Sequence, residues 1–177
     1  MTDTYSIRQT ALSDIPAITE IYAHHVAYGS ASFEEEPPSA EEMTKRFNLI
    51  QSKNQPYYVV ESNEGEILGY CYAGSFRERN AYRFTIETTL YLKPGAEGHG
   101  LGGLMLDTLV EECSKRGYRQ MIAVIGDSAN AGSIGVHKSR GFNMIGTMPG
   151  TGFKHGRWVD TVMMQRPING GNLTLPE

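Results

Sequence analysis

The sequence predicts an α+β fold of mixed type, in which helices flank a central, mostly antiparallel sheet. Its 177 residues are about the length of one domain. Helical spacing of apolar residues dominates the start of the chain, strand-like alternation follows, and the second half combines both patterns. This order is not a regular strand–helix–strand repeat, which argues against a doubly wound parallel sheet. We expect one domain over 1–166 and an extended or loose tail over 167–177.

The chain begins with a predicted strand and an amphipathic helix. The strand is "IRQT" at 7–10, and the helix covers "SDIPAITEIYAHHVAYG" at 13–29. Ser13 or Asp14 is the predicted cap and Gly29 the predicted end, because these residue types favour those positions. Helical spacing gives this helix a buried stripe made of Ile15, Ile18, Tyr22 and Val26.

The spacing then changes from helical to strand-like. A second helix starts at Ser39, which forms a capping box with Glu42, and its apolar face comprises Met43, Phe47 and Ile50. Alternating residues next predict three strands, over 56–62, 66–74 and 83–92. A turn at 63–65 joins the first two, and the charged loop "FRERNAYR" separates the second from the third.

Helical spacing returns after a glycine-rich stretch. The third helix ends at Gly117 and has an apolar face of Leu101, Leu104, Met105, Leu109 and Cys113. A strand over 119–126 precedes a short helix that runs from an Asn130 cap to Gly141. The last two strands are predicted over 142–148 and 157–165.

Composition excludes several classes of function. A formal net charge of -4 argues against a general nucleic-acid binder, which would show a basic surplus. No apolar run is long enough to span a bilayer, and the N-terminal residues lack a secretory pattern. Only Cys71 and Cys113 are cysteines, and no His/Cys spacing suits a metal, so we expect a cytoplasmic protein without a bound metal.

The glycine-rich stretch "EGHGLGGLML" at 97–106 has several possible functions. A Walker loop fails because Leu104 stands where a lysine is required. In a dinucleotide site Asp127 could hold a ribose, but the preceding strand alternates and too little chain follows to complete that domain. A coenzyme A pyrophosphate loop fits the glycines and the helix that follows. A glycine turn that binds nothing fits this stretch equally well.

The surrounding residues carry a resemblance to a known family. "TLYLKPGAEGHGLGGLML" is similar to the acyl-CoA signature of the GNAT N-acetyltransferases. "FEEEPPSAEE", "YAGSFRERNAYRFTIETTLYL", "IAVIGDSANAGSIGVHKSRGF" and "GFKHGRWVD" resemble, in the same order, the phosphinothricin and methionine sulfoximine or sulfone acetyltransferases. The resemblance covers about residues 5–165. It implies the GNAT fold, acetyl-CoA as co-substrate, a homodimer, and direct attack by a small amine in a ternary complex.

The resemblance also implies roles for individual residues. Glu87 matches the general base, and alternation places it with Thr85, Thr89 and Tyr91, opposite Phe84, Ile86, Leu90 and Leu92. A solvent-facing strand carboxylate is the alternative. His137 matches a histidine that could protonate the departing thiolate, and a helix histidine that only packs is the alternative. The implied cofactor contacts are Thr89, Leu90, Tyr91, Leu92, Glu97, Gly98, His99, Gly100, Leu101, Gly102, Gly103, Asn130 and Ser133.

Substrate contacts follow from the same resemblance. An amino acid analogue with a carboxylate and a second polar group suits arginine, whose guanidinium bonds such groups through two N–H donors. The implied contacts are Phe33, Arg77, Arg79, Tyr82, Arg83 and Thr85. Two positions depart from the family: Glu97 replaces a Gln or Arg, and Phe76 stands where relatives often have Trp. A carboxylate at 97 should weaken cofactor binding by repulsion unless it points to solvent.

Two other functions remain compatible with the sequence. The same fold could acetylate another amine, such as a polyamine, an aminoglycoside or a protein N-terminus. A non-catalytic module that binds acyl-CoA is the second alternative. Glu87 and the arginine-rich loop favour an enzyme, because a binding module needs neither.

Overall fold

A computed structural model describes residues 5–176, which form one mixed sheet with helices on both faces. The strands are β1 (Tyr5–Gln9), β2 (Tyr57–Ser62), β3 (Ile67–Ser75), β4 (Thr85–Leu92), β5 (Gln120–Gly126), β6 (Asn143–Lys154) and β7 (Arg157–Pro167). The helices are α1 (Ile15–Tyr28), α2 (Ala40–Ser52), α3 (Leu101–Lys115) and α4 (Ala131–Ser139), with short 3-10 turns at Leu12–Asp14 and Asn80–Tyr82. None of the described helices is both long and apolar enough to cross a bilayer.

The seven strands are arranged in the order β1-β2-β3-β4-β5-β7-β6. Every neighbouring pair is antiparallel except β4 and β5, which are parallel and are joined by α3. The predicted mixed, mostly antiparallel sheet is therefore confirmed.

Two apolar cores lie on opposite faces of this sheet. Residues Leu101, Met105, Leu106 and Leu109 of α3 are buried against one face. Helices α1 and α2 cover the other, where Ile18 and Phe47 are buried with a group of strand tyrosines. The predicted stripe of α3 was wrong at Leu104, which is only half-buried, because Leu106 occupies the core instead.

The two parallel strands separate toward one end of the sheet. Their pairing runs from Thr85 with Gln120 to Thr88 with Ala123 and stops there. Beyond that point β4 continues along β3 to Leu92, while β5 continues along β7. Because both strands keep a partner on their outer side, the gap between them is an opening inside the sheet rather than a frayed edge.

The end of the chain differs from the prediction in two ways. Strand β6 extends to Lys154, with irregular pairing between Met148 and Gly152. Residues 149–156, which lie between the last two predicted strands, therefore belong to a long hairpin. The tail predicted as extended or loose is anchored. Ile168 is buried, and the Arg119 guanidinium donates hydrogen bonds to carbonyl oxygens of Gly171 and Thr174.

The helix caps are partly as predicted. The Ser39 hydroxyl accepts a hydrogen bond from the Glu42 N–H at 3.2 Å and caps α2. Asp14 precedes α1 but does not cap it with its side chain. Its carboxylate instead accepts hydrogen bonds from the Ala11 N–H and from Arg8, which fixes the preceding 3-10 turn.

Candidate active site

The opening between β4 and β5 is a cleft whose walls contain both predicted catalytic residues and five of the predicted cofactor contacts, while the glycine turn at 97–103 and Leu92 lie outside its walls. Its walls bring together residues of β4 and of α4 with its N-cap, namely Glu87, Thr89, Leu90, Tyr91, Asn130, Ser133 and His137. The cleft also contains residues that the sequence did not single out, namely Ala31, Thr88, Ala123, Val124, Ile125 and Gly126. Their positions depend on strand separation, which has no signature in local sequence.

Glu87 lies in the cleft on the face of β4 that is turned toward α1 and α2. Its partner across the sheet is Gly74, which has no side chain to fill the space beside the carboxylate. Burial raises the pKa of the Glu87 carboxyl above its ordinary value, because a charged carboxylate loses hydration there. A half-buried carboxylate with a raised pKa has the properties of a general base.

The main chain of β4 presents polar groups to the opening. The Lys93 N–H donates to Leu68 of β3, so the main-chain groups of odd-numbered β4 residues face β3. Those of Leu90 and Leu92 therefore face the open side, beyond the last pair with β5. The Leu92 carbonyl accepts a hydrogen bond from His25 Nε2 at 2.7 Å. The Leu90 N–H is directed into the cleft.

The glycine-rich stretch makes the turn into α3. Gly98 and Gly100 have φ of 81° and 77°, a region that favours glycine. Gly100 is the N-cap and offers no side chain, so the first main-chain N–H groups of α3 have no cap. These groups start at Leu101, whose side chain is buried in the core, so only its main chain can contact a ligand.

Gly102 and Gly103 have a different purpose in the fold. A Cβ on Gly102 would lie 3.3 Å from Val136 of α4, and one on Gly103 would overlap the Arg140 guanidinium. Arg140 also forms an ion pair with Asp107 of α3 at 3.0 Å. The two glycines thus let α4 pack closely on α3, whereas Gly98 and Gly100 provide the turn.

Glu97, the departure from the family pattern, is exposed and folds back on its own turn. Its carboxylate accepts a hydrogen bond from the Gly95 N–H at 2.8 Å. That contact draws the charge toward the residues before the glycine turn. The carboxylate is thus bound to the main chain two residues before it.

Helix α4 holds three of the predicted residues on the other wall. The Asn130 side chain caps the helix by accepting from the Ser133 N–H at 3.1 Å. His137 Nδ1 lies 2.8 Å from the Ser133 carbonyl, so Nδ1 carries the proton and donates it to that bond. Burial lowers the pKa of His137, which leaves a neutral ring whose Nε2 faces Thr88 Oγ1 at 3.4 Å.

An ionic network around Asp127 lies next to the cleft, beside Gly126 of its wall. Its carboxylate accepts hydrogen bonds from Ser30 Oγ at 2.9 Å, from Arg157 at 2.5 Å and from the Ala129 N–H at 3.0 Å. These bonds hold the pKa of Asp127 down to about 2, with Arg157 the main cause. The network joins the loop after α1, the start of α4 and the β6–β7 hairpin, so three distant segments are held together beside the cleft.

The predicted substrate residues do not gather around Glu87. Among the described residues, the walls of the cleft contain none of Phe33, Arg77, Arg79, Tyr82, Arg83 or Thr85. Arg77 is exposed and stacks on the Phe76 ring at 5.2 Å, while Arg83 stacks on the Phe84 ring at 4.5 Å. The Phe33 ring packs over Gly152 of β6. In this conformation the arginines form an exposed loop at the end of the sheet.

Neither cysteine is available for covalent catalysis. Cys71 and Cys113 are fully buried in the core between the sheet and α3. Burial raises the pKa of the Cys113 thiol to about 12 and that of Cys71 further, so neither forms a thiolate at neutral pH. The geometry agrees with direct transfer rather than an acyl-enzyme.

Comparisons with known proteins agree with this architecture. The acetyltransferase (GNAT) domain profile matches residues 7–163. A phosphinothricin N-acetyltransferase of Alcaligenes faecalis is 49% identical over 172 residues, covering 97% of this chain and 87% of the relative. An L-methionine sulfoximine/L-methionine sulfone acetyltransferase of Pseudomonas aeruginosa is 36% identical over 160 residues, covering 90% of this chain and 92% of the relative.

A solved structure is similar over nearly the whole length. The crystal structure of a GNAT superfamily phosphinothricin acetyltransferase from Sinorhizobium meliloti, in complex with acetyl-CoA, superimposes with a TM-score of 0.95. It is 46% identical and covers 98% of this chain and 94% of its own. The fold predicted from the resemblance is therefore confirmed. The profile match and these identities show that the chain belongs to the GNAT family of acetyltransferases.

Proposed function

We propose that this chain transfers an acetyl group from acetyl-CoA to the amino group of a small amino acid analogue, such as phosphinothricin, methionine sulfoximine or methionine sulfone. The observation that carries the proposal is the half-buried Glu87 carboxylate inside the β4–β5 cleft, on the same strand as the Leu90 N–H that is directed into the cleft. The names of the relatives in the two comparisons support the substrate class.

Glu87 is the general base of this proposal. It removes a proton from the substrate ammonium, directly or through one water, so that the nitrogen lone pair can attack the thioester carbonyl. Because its pKa is raised, its basic form is lost at a higher pH than that of an exposed glutamate. The acid limb of the activity profile should therefore lie above the ordinary glutamate range.

The chain's main-chain groups polarise the thioester. The Leu90 N–H would donate to the carbonyl oxygen as it gains negative charge, which would stabilise the transition state. A C–N bond forms, the C–S bond breaks, and the thiolate leaves and takes up a proton. His137 would assist that last step only after its Nε2 gains a proton, because the single proton of the neutral ring is held on Nδ1 by the Ser133 carbonyl.

The cofactor contacts divide between the glycine turn and α4. Main-chain N–H groups from Gly98 to Gly103 would receive the pyrophosphate, and the start of a 15-residue helix favours an anion there. Asn130 and Ser133 would contact the pantetheine arm, since both lie in the cleft. The cap bond between them keeps the Asn130 amide N–H₂ available.

Arg77, Arg79 and Arg83 would bind the anionic groups of the substrate. Phe33, Tyr82 and Thr85 would also contact it. We also propose a cytoplasmic homodimer that binds neither nucleic acid nor membrane, on the basis of composition and family resemblance.

The test is thiol release from acetyl-CoA with a panel of amines that includes phosphinothricin, methionine sulfoximine, a polyamine, an aminoglycoside and an N-terminal peptide. We expect turnover with the first two. Release only with another amine would overturn the substrate assignment and leave the reaction intact. Binding of acetyl-CoA by calorimetry, with no release from any amine, would overturn the enzymatic role in favour of a binding module.

A further inference from the structure

His25 connects α1 to the end of β4, and the proposed function gives it no role. Its Nε2 lies 2.7 Å from the Leu92 carbonyl oxygen. Because a carbonyl oxygen can only accept, Nε2 carries the proton and donates it. The ring is half-buried and packs against the Tyr91 ring, with 5.1 Å between the two centroids. A hydrogen bond and a ring contact therefore hold this side chain on the strand.

The Leu92 carbonyl belongs to a peptide group that is bonded on both sides. On the side of β3, the Lys93 N–H of the same peptide donates to the Leu68 carbonyl at 2.8 Å. On the other side, β4 has no strand partner beyond Thr88, and His25 supplies the bond that a neighbouring strand would otherwise make. Since a peptide group is planar, the two bonds together fix the orientation of its plane.

This peptide lies between the two parts of the proposed donor site. Before it, β4 directs the Leu90 N–H into the cleft, where the thioester carbonyl would lie. After it, residues 94–100 lead to the start of α3, where the pyrophosphate would bind. The pantetheine arm of acetyl-CoA connects those two groups. It would therefore pass along the open side of β4 at Leu92, beside the bond that His25 makes.

We propose that His25 is a positioning residue for acetyl-CoA, which holds the end of β4 in the orientation that the pantetheine arm requires. This inference rests on the cofactor contacts of the proposed function and adds to them a residue of α1. His25 acts through the Leu92 carbonyl. Without the Nε2 donor that carbonyl loses its partner, and the peptide can turn away from the arm. The nucleotide half of the cofactor would contact the glycine turn and is independent of this bond.

The test compares acetyl-CoA with 3′-phosphoadenosine 5′-diphosphate, which is coenzyme A without its pantetheine arm. His25→Phe keeps a ring beside Tyr91 and removes the donor. By calorimetry, this variant should bind acetyl-CoA about tenfold more weakly, because a carbonyl is left without its partner. Its affinity for the nucleotide half should change less than twofold. An equal loss for both ligands, or an unchanged acetyl-CoA affinity, would overturn the inference.

Two further variants separate the hydrogen bond from packing. His25→Gln retains an N–H donor and should bind acetyl-CoA within about threefold of the wild type, whereas the similarly sized His25→Met should not. His24→Phe is the matched control, since His24 is exposed on the same helix, and it should change neither affinity. Should His25→Phe fold poorly, the pair of Gln and Met variants decides, and equal acetyl-CoA affinities for the two would overturn the inference.

These affinities also distinguish failure of the inference from failure of the proposed function. Thiol release from none of the amines would overturn the proposed function and leave the inference to the calorimetry, which requires no turnover. Absence of acetyl-CoA binding by the wild type would overturn both.

Discussion

The two sides of the cleft are built in different ways. The proposed donor side, residues 95–103 and 130–137, consists of two continuous segments that offer main-chain groups and helix starts. The proposed acceptor side combines the loop after α1, the cavity between α1, α2 and the sheet, and the β6–β7 hairpin, joined by side-chain contacts such as that of Asp127 with Ser30. A group common to all substrates can be bound by main-chain atoms, whereas a variable amine requires side chains from distant parts of the chain.

Glu87 lies between the two sides, and its replacement should have the largest effect. Glu87→Gln keeps the shape but cannot accept a proton, so kcat should fall about 10²- to 10⁴-fold. Calorimetry should give an unchanged acetyl-CoA affinity, because the donor side does not use this carboxylate. Wild-type rates across the pH range would show that Glu87 is not the base.

Asp127 tests whether the two sides are independent. Asp127→Asn weakens the bonds to Ser30 and Arg157, so we expect the amine KM to rise about tenfold and unfolding free energy to fall by about 2 kcal/mol. Steady-state kinetics with each substrate varied in turn, and chemical denaturation, measure these effects. An equal rise in the acetyl-CoA KM would show that the donor and acceptor sides are not independent.

The same carboxylate predicts an acid dependence of stability. Its folded pKa of about 2 is below the ordinary aspartate value, so its stabilisation is complete above the unfolded pKa of about 4. It is lost as the pH falls through about 2. Because the Arg157 partner is half-exposed, solvent screens the pair, and we expect the loss to be only about 1 kcal/mol. Denaturation of Asp127→Asn at several pH values should show a smaller acid loss than the wild type.

Gly100 probes the donor side alone. Gly100→Ala places a Cβ at a φ of 77°, which should cost about 1–2 kcal/mol and raise the acetyl-CoA KM about fivefold. The amine KM should remain the same. Gly117→Ala, at the same φ but after α3, is a control that shares the strain without touching the cleft. Similar kinetics for both variants would remove the glycine turn from the site.

The smallest effect is expected at Glu97. Since its carboxylate is exposed and accepts from the Gly95 N–H, Glu97→Gln should change acetyl-CoA affinity less than twofold. Titration calorimetry at low and high salt measures this. A clearly tighter complex at low salt would show that the carboxylate turns toward the diphosphate.

The same comparison explains what the sequence could predict. The sheet and the four helices followed from periodicity and caps, and the proposed donor side rests on a contiguous motif. The Asp127 network did not follow from such patterns, because Ser30 lies 97 residues and Arg157 30 residues from Asp127 in the sequence. The sequence predicts that strand β6 ends at Met148, because "PGTG" locally favours a turn. Pairing with β7 instead extends the strand to Lys154. Long-range contacts, which leave no periodic pattern, decided each of these differences.

One missing side chain sets the width of the cleft. A Cβ on Gly126 would lie 2.3 Å from the Ser30 carbonyl oxygen and 2.9 Å from that of Ala31, so the loop after α1 rests directly on β5. A larger residue there has to push this loop outward and widen the opening beside the thioester. Directed evolution toward longer acyl donors, such as propionyl or butyryl thioesters, should therefore begin at position 126, where an added methyl group would displace the loop after α1.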